Sequence, residues 1–520
     1  MDFRKFYLNL KVKKLNRYFL FLPLLLYFGK RSLISYDEGF YALQAKWILE
    51  NNNWIAPLWW GNISLDRTIG IQYLIALSQK IFGDHIFAIY LPSIIASSLI
   101  LYLTSLIQRE LLESKNNITG SIILASTFLW INYSNLATQD TIFCSIVTLG
   151  IFALIKSIKT KKNIFLLISG VWIGLGFMMK TFLIFIPLIA SLPLFIRWGI
   201  AKNKFFWLGF IIGFIPFIFW SINIFNIYGG EEYFGLFRKL LFLSKENNFT
   251  NPFYYYIWNI PLNLLPWSIF SIIGLVYAQN LKNELSKYFL FIFPILVIIL
   301  ISFFSAKTPY YPIQILSLLS INAYLGVQVV LKNNTKIIKH TKNLLLQIIP
   351  MSIFFSLIYI NIKNINLGIE NTQKIMLSLG LLSFSISWFS VNLIKKSRSK
   401  LFLLLLGPYL LSLFIVQSGL VTDRSRNIRI ASEELLSREN LNNKKVEVIK
   451  SDLGDQDTVS KIIKIFVSMP RIGNGISNID DLEKDQYAWT TQSNLKFNNE
   501  KYSVINDSEV FKPWKLIKKN

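Results

Sequence analysis

The chain has 520 residues, of which 53% are hydrophobic and 16% are charged. A soluble globular protein carries about 25% charged residues and cannot hide so much apolar surface from water, so the composition excludes a string of soluble domains and predicts an integral membrane protein. The formal net charge of +25 does not indicate nucleic-acid binding, because the basic residues form short clusters between apolar runs, as the positive-inside rule predicts.

Cysteine and histidine are too scarce for two classes of site. The single Cys144 excludes an intramolecular disulfide, and two histidines exclude a multi-histidine metal site.

The apolar runs predict an all-α polytopic membrane protein with about 13 transmembrane helices. Each run approaches the roughly 20 residues that cross a bilayer as a helix. The runs lie at about 17–34, 84–107, 119–134, 141–156, 163–179, 181–196, 205–227, 263–281, 288–304, 310–331, 343–361, 374–394 and 401–421.

Charge between the runs predicts the orientation. With the N-terminus in the cytoplasm, the cytoplasmic pieces carry 25 Lys or Arg residues. The four short outside turns carry only Lys180, Lys307, Lys363 and Lys374. This bias predicts a multi-pass plasma-membrane protein with its C-terminal residues on the extracytoplasmic side.

Two domains are expected. Residues 1–421 form the transmembrane domain, which includes a long outside loop at 30–82, and residues 422–520 form a small extracytoplasmic α/β domain. In the latter, "KKVEVIKSDLG" is typical of a strand and turn, and "TVSKIIKIFVSM" fits either an amphipathic helix or a strand.

The first outside loop contains the most informative charges. Asp37 and Glu38 directly follow the first apolar run, and acids so close to the membrane usually mark function. A helix cap is the alternative for this pair, since carboxylates are favoured at helix N-termini. Further along, Asp66 and Arg67 form either a surface ion pair or part of a phosphate site, which a guanidinium suits.

Other ionisable residues occur in short turns on the same predicted side. Asp140 and Lys180 each lie beside an apolar run, and Lys307 precedes the pair Tyr310 and Tyr311. A lysine at a helix end often only extends toward the interface. Because several such groups occur on one face, we expect them to line one pocket.

These motifs resemble a known family. The stretch "YDEGFYALQAKWILENNNWIAPLWWGNISLDRTIGIQYLIALSQKIFG", together with "LATQDTIFCSIVTLG", "GLGFMMKTFLIFIPL", "NPFYYYIWNIPLNLLPW" and "KTPYYPIQIL", is similar to the C-type glycosyltransferases that use polyprenyl-phosphate sugars. Most similar are the lipid A aminoarabinose transferases and the related protein O-mannosyltransferases. The resemblance covers about residues 18–330.

The resemblance implies a membrane glycosyltransferase that moves a hexosyl or pentosyl group from a polyprenyl-phosphate carrier to an acceptor on the extracytoplasmic side. It further implies the role of each site residue: catalytic Asp37 as general base, with Glu38 and Asp140; donor-phosphate binding by Arg67, Lys180, Tyr310 and Lys307; and a substrate pocket with Tyr41 and Asp66. Whether Tyr310 or Tyr311 is the matching tyrosine stays open.

Two departures from the family pattern affect the details. The family's Lys-Pro-Pro is Arg67-Thr68-Ile69 here, and a family histidine position is Phe249. The second change weakens both a zinc site and lipid A as the acceptor. No cofactor is certain, and a divalent metal with Asp66 as a ligand is left open.

The expected partners are the lipid-linked sugar donor, the bilayer, and a lipid, protein or glycan acceptor, with no nucleic acid. A polytopic lipid or sugar transporter or flippase is the main alternative. It would place ionisable groups near mid-membrane in broken helices, whereas here they lie at one face. A lipid-linked oligosaccharide polymerase or ligase would use similar substrates.

Overall fold

The computed structural model describes residues 14–27, 30–113, 118–243, 250–363, 365–441, 444–491, 501–506 and 508–520. Phe249, at the family's histidine position, lies outside these residues.

Helices form most of the structure. Up to residue 243 they are α1 Leu22–Leu25, α2 Phe40–Glu50, α3 Gly70–Phe82, α4 Ile86–Leu112, α5 Thr119–Ala125, α6 Phe128–Tyr133, α7 Gln139–Thr160, α8 Asn163–Lys180, α9 Phe185–Arg197 and α10 Lys204–Leu243. The later helices are α11 Tyr255–Asn263, α12 Ser268–Ala278, α13 Glu284–Lys287, α14 Phe293–Ser302, α15 Leu316–Lys332, α16 Lys336–Asn343, α17 Ile349–Ile362, α18 Asn371–Ser390, α19 Ser397–Gln417, α20 Arg426–Glu439 and α21 Gln456–Ser468.

Within the described residues, nine helical stretches are long and apolar enough to cross a membrane. A tenth passes if α11 and α12, which are bent by 115° at their junction, are counted as one stretch. The nine are Ile86–Leu112, Gln139–Thr160, Asn163–Arg197, Lys204–Lys239, Glu284–Phe303, Tyr311–Lys332, Lys336–Ile362, Asn371–Leu393 and Ser397–Gln417. The chain is therefore a multi-pass membrane protein.

The stretch 163–197 contains two of the predicted spans. Its helix breaks at Thr181, which has a φ of 41°. A Cβ on Gly170 would lie 2.1 Å from the carbonyl oxygen of Phe206, and one on Gly174 would lie 2.2 Å from the carbonyl carbon of Gly213. From one contact to the next, the residue number increases on both α8 and α10, so these two helices are parallel. Because α9 joins them, it runs back in the opposite direction.

Two other predicted spans differ from the observed helices. The run 119–134 is divided into α5 and α6, because Thr127 is extended and the next amide, that of Phe128, donates to the Leu265 carbonyl at 2.9 Å. In the described part of the run 17–34, helix is found as a 3-10 segment, Lys14–Phe21, and as the short α1. The count of thirteen spans stays a prediction.

The first outside loop is a compact structure between α2 and α3. Strands β1 Leu58–Trp59 and β2 Asn62–Ile63 pair as an antiparallel hairpin. The two turn residues, Trp60 and Gly61, have φ of 51° and 82°, as a tight hairpin turn requires. The hairpin packs on α2 through Trp47, whose ring lies 5.1 Å from that of Trp60.

The C-terminal residues carry a five-stranded sheet. Its strands are β3 Lys445–Val448, β4 Arg471–Ile472, β5 Tyr487–Thr491, β6 Tyr502–Asn506 and β7 Trp514–Lys519, in the order β4-β3-β5-β7-β6. Strand β3 is parallel to β4 and β5, whereas β7 is antiparallel to β5 and β6. The predicted strand at "KKVEVIKSDLG" is β3, and the segment that fits a helix or a strand is helix α21.

This C-terminal segment packs directly on the first outside loop. The ring of Phe466, in α21, lies 4.9 Å from that of Trp60. The indole N–H of Trp47 donates to the Gly473 carbonyl at 3.0 Å. The loop that carries Asp37 is therefore covered by residues more than 400 positions later in the chain.

Candidate active site

Asp37 lies in a tight turn between the first apolar run and α2. Residues Ser35–Gly39 form one turn of π-helix, a geometry that is frequent at functional sites. The hydroxyl of Ser35, the first residue of the turn, forms a hydrogen bond of 2.7 Å with the hydroxyl of Ser460. A Cβ on Gly39, the last residue of the turn, would lie 2.5 Å from the Ile463 side chain. The turn is therefore closely packed against α21.

Glu38, which the sequence predicts as a catalytic residue, faces the protein interior. Its side chain is 1% exposed, and its two oxygens accept from the amides of Ile34 at 2.9 Å and Ala137 at 2.8 Å. Burial raises the pKa of Glu38 to about 7, against the opposing effect of these two amide donors. The two adjacent carboxylates of the doublet therefore have different surroundings.

Asp140 and Lys180 form an ion pair between two helices. Asp140 is in the first turn of α7, where free amides and the helix dipole favour a carboxylate. Lys180 is the last residue of α8, where the dipole favours a cation. The Lys180 ammonium donates to Asp140, and both side chains are largely buried. The two helix ends thus explain why this ion pair forms here.

Three tyrosines surround this ion pair. The Lys180 ammonium lies 5.6 Å from the ring centroid of Tyr310 and 5.8 Å from that of Tyr311, distances at which an ammonium interacts with an aromatic ring. The ring of Tyr133 lies 5.0 Å from that of Tyr310. Both candidate tyrosines are therefore beside Lys180, and the geometry does not separate them.

Arg67 completes the group from the first outside loop. Its guanidinium donates to the Tyr41 hydroxyl, and its Cζ lies 5.7 Å from that ring centroid. The Arg67 side chain is exposed, and within the described residues it makes no ion pair with a carboxylate. Burial raises the pKa of Tyr41 to about 12, so its hydroxyl stays neutral. Among the described residues, Arg67 thus carries a positive charge that is not held in an ion pair.

The electrostatic surroundings of Asp37 join these residues into one site. Burial raises the pKa of Asp37 above its usual value, and the nearby Asp140 raises it further. Arg67 and Lys180 act in the opposite direction. Asp37 therefore interacts electrostatically with Asp140, Arg67 and Lys180. Such a site can accept a proton at Asp37 beside cations that suit a phosphate.

Two predicted site residues lie apart from this group. Asp66 accepts from the Lys239 ammonium of α10 and from the Ser64 hydroxyl at 2.8 Å. Lys307 is buried, and its ammonium donates to the carbonyls of Asn251 at 2.8 Å and Phe304 at 2.6 Å. These two hydrogen bonds tie Lys307 to its own loop, and its role in binding the donor phosphate stays a prediction.

A metal at Asp66 gains no support from its neighbours. Across the part of the chain that the structure describes, no three His, Cys, Asp or Glu side chains come together in a group that could hold a metal ion. Asp66 instead faces the ammonium of Lys239, and an ammonium repels a divalent cation. A metal requirement stays an untested prediction.

One further residue near the site, Arg31, is missed by the sequence reasoning. Arg31 is fully buried, and its guanidinium donates to the Asn135 carbonyl at 3.3 Å and to the Asn135 side-chain oxygen at 3.2 Å. Its Cζ also lies 5.1 Å from the ring centroid of Tyr90. The sequence feature that could have revealed it is an arginine at the end of an apolar run. In most membrane proteins such an arginine marks only the membrane interface.

Comparison with known proteins gives local sequence matches. A family model described as dolichyl-phosphate-mannose-protein mannosyltransferase matches residues 66–222. An undecaprenyl phosphate-alpha-4-amino-4-deoxy-L-arabinose arabinosyl transferase of Pseudomonas savastanoi pv. phaseolicola is 30% identical over 177 residues, which is 33% of each chain. A second transferase of this name, from Pseudomonas fluorescens, is 24% identical over 286 residues, 53% of this chain and 49% of the relative. The chain thus spans between a third and half of these curated relatives.

A solved structure matches nearly the whole chain. The crystal structure of ArnT from Cupriavidus metallidurans bound to undecaprenyl phosphate has a TM-score of 0.74 with 11% sequence identity, and the match covers 97% of both chains. The predicted resemblance is confirmed: the chain has the fold of ArnT and is similar in sequence to the aminoarabinose transferases and to the dolichyl-phosphate-mannose-protein mannosyltransferase family.

Proposed function

We propose that the chain is a membrane glycosyltransferase that moves a sugar from a polyprenyl-phosphate carrier to an acceptor on the extracytoplasmic side. The observation that carries this proposal is the site around Asp37, whose carboxyl has a raised pKa and interacts electrostatically with Arg67 and with both members of the Asp140–Lys180 pair. A base next to a cation at the ends of apolar helices fits an attack on a lipid-phosphate sugar.

The names of the relatives support the class of donor. Undecaprenyl phosphate-alpha-4-amino-4-deoxy-L-arabinose, in the name of two of them, is a pentose linked to a polyprenyl phosphate. By analogy the donor here is a polyprenyl-phosphate sugar. Its tail lies among the apolar helices and its phosphate reaches the group of charges, while the acceptor is a lipid, a protein or a glycan.

The proposed reaction is one displacement at the anomeric carbon. Asp37 accepts the proton of the acceptor group as that group forms its bond to the anomeric carbon. The bond from this carbon to the phosphate oxygen breaks, and the lipid phosphate leaves with the electron pair, which inverts the configuration. General-base help of this kind contributes about 10²–10⁴-fold.

The cations stabilise the charge that grows on the departing phosphate. Arg67 offers a planar set of donors and has no carboxylate partner in the described structure. Lys180 is already paired with Asp140, so it contributes less net charge. The ring of Tyr310 lies beside the Lys180 ammonium. In a site from which water is excluded, such fixed charges have a larger effect than in water.

The proposed topology follows from the distribution of charge. Thirteen spans with a cytoplasmic N-terminus place Asp37, Arg67, Asp140 and Lys180 on the extracytoplasmic side. The C-terminal segment packs on the same loop, which supports the same side for residues 422–520 and their description as a small α/β domain.

The test is transfer of radiolabelled sugar from a polyprenyl-phosphate donor in membranes that contain the protein. Asp37→Asn should lower the rate by about 10²–10⁴-fold while the protein still inserts. Asp457→Asn, at an exposed aspartate of α21, is the matched control and should keep the full rate. Full turnover by Asp37→Asn would refute the role of Asp37. Movement of labelled donor across the membrane without transfer to any acceptor would favour a flippase.

A further inference from the structure

Glu38 joins two loops that each carry an acid of the site. One of its oxygens accepts from the amide of Ile34, which directly precedes the turn that carries Asp37, at 2.9 Å. The other accepts from the Ala137 amide at 2.8 Å, three residues before Asp140. Both oxygens of one fully buried carboxylate are thus used by backbone amides of two different segments.

A second contact connects the same two segments. The Arg31 guanidinium, three residues before Ile34, donates to the backbone and side-chain oxygens of Asn135. Arg31 is 0% exposed and Asn135 is 4% exposed. The first segment therefore donates to the second through Arg31 and accepts from it through Glu38.

The space beside Glu38 excludes a substrate. The cavity that it lines with Arg31, Tyr90 and Arg424 has a volume of about 10 Å³, which is about the space for one water molecule. A sugar ring or a phosphate does not fit there. Asp37, in contrast, is half-buried and close to the exposed Arg67.

We propose that Glu38 is a positioning residue of the transferase: it fastens the turn that carries Asp37 to the loop that carries Asp140, and it does not touch the substrates. This inference rests on the proposed function. The two acids of the doublet thus have different roles: Asp37 is the base that contacts the acceptor, and Glu38 holds the turn that positions Asp37.

Two substitutions test the geometry. Glu38→Gln keeps one acceptor oxygen but turns an amide NH₂ toward one of the two N–H groups, so that one hydrogen bond is lost. Glu38→Asp keeps the charge but shortens the side chain, so that it no longer reaches both amides. Each variant should lower kcat by about 10–100-fold, the effect of a small misplacement of catalytic groups, with little change in KM for the donor.

The pH profile separates positioning from catalysis. Because Asp37 is retained, a decline of kcat at acid pH should persist in both variants, and in Glu38→Gln it should lack the contribution of Glu38 itself, whose pKa burial raises to about 7. Wild-type kcat in Glu38→Gln, or loss of that acid decline, would overturn the proposal. If Asp37→Asn stays active, the proposed function itself fails. If Asp37→Asn is inactive and Glu38→Gln is as fast as the wild type, only the positioning role fails.

A milder variant covers the case in which Glu38→Gln does not fold. Asn135→Ala removes one acceptor of Arg31 and leaves Glu38 intact. The loss of one ordinary hydrogen bond should lower kcat by about 2–10-fold with an unchanged pH profile and an unfolding temperature close to that of the wild type. An unchanged kcat in this variant would show that the contact between the two segments does not set the rate, and would overturn the proposal.

Discussion

Lys180 and Arg67 carry the same charge but have different neighbours. Lys180 is paired with Asp140, whereas Arg67 contacts the neutral hydroxyl of Tyr41. The charge of Arg67 is therefore the more available one for an incoming phosphate. The surroundings of Asp37 combine both effects, since burial and Asp140 raise its pKa and the two cations lower it.

The pH dependence of transfer should report these surroundings. A base works in its ionised form, so the rate should fall as the pH drops through the raised pKa of Asp37, at a higher pH than for an exposed aspartate. Asp140→Asn removes a negative neighbour and frees the charge of Lys180. Both changes lower the pKa of Asp37.

The acid limb of the residual kcat of Asp140→Asn should therefore lie at lower pH than that of the wild type. The measurement is kcat against pH in membranes or detergent. A limb that stays in place, or that moves to higher pH, would contradict the assignment of Asp37 as the base.

The sequence predicted this group of residues but not the different surroundings of Asp37 and Glu38. Asp37, Asp140 and Lys180 were recognisable because charges beside apolar runs are costly and rare. The different directions of Asp37 and Glu38 depend on a π-helical turn and on an amide 99 residues away. No local pattern encodes such a contact.

Close packing of α8 against α10 shows how the helices around the site are set. Gly170 and Gly174 of α8 face Gly209 and Gly213 of α10, and the backbones are in direct contact. Small residues four positions apart permit this approach in membranes. The end of α8, which carries Lys180, is thereby held by α10.

A methyl group at this contact should destabilise the protein. In Gly209→Ala the new Cβ would lie 1.9 Å from the Leu167 carbonyl oxygen, so the helices must separate, at a cost of about 1–3 kcal/mol. Gly235→Ala, in the part of α10 beyond the kink at Gly229 and with nothing within 4 Å, is the control and should not lower stability.

Thermal unfolding in detergent measures this difference between the two variants. Equal unfolding temperatures for Gly209→Ala and Gly235→Ala would contradict the parallel packing of α8 and α10.

Helix boundaries were less predictable than helix identity. The apolar runs located most of the long helices, because composition over about 20 residues decides membrane insertion. The division of 119–134 was not predictable, since the amide of Phe128 leaves the helix to bond with Leu265, far along the chain.

Across the whole molecule, the C-terminal segment and the first outside loop form one structure. Lys46 of α2 is 5% exposed, and its ammonium donates to the carbonyls of Val467 at 2.9 Å and Met469 at 2.8 Å at the end of α21. It also forms an ion pair of 2.8 Å with Asp84. The predicted strand and helix of this segment were local patterns, whereas its position on the loop depends on contacts that the sequence does not display.

Lys46→Met should weaken this connection. The variant leaves two buried carbonyls without their donor and Asp84 without its ion-pair partner, and we expect a loss of about 1–3 kcal/mol in stability. Lys445→Met removes an exposed lysine whose ammonium lies 3.7 Å from Glu447 and should change stability by less than about 1 kcal/mol. Protease sensitivity of the C-terminal segment during heating compares the two, and equal sensitivity would show that Lys46 does not join these parts.

The central claim is that one outward-facing site receives the phosphate of the donor next to Asp37. A structure of the protein with a polyprenyl phosphate bound tests it most directly. We predict phosphate oxygens within about 3 Å of the Arg67 guanidinium, with the Asp37 carboxylate on the side from which the acceptor approaches. A phosphate bound at the opposite membrane face, or out of reach of both Arg67 and Lys180, would contradict the account.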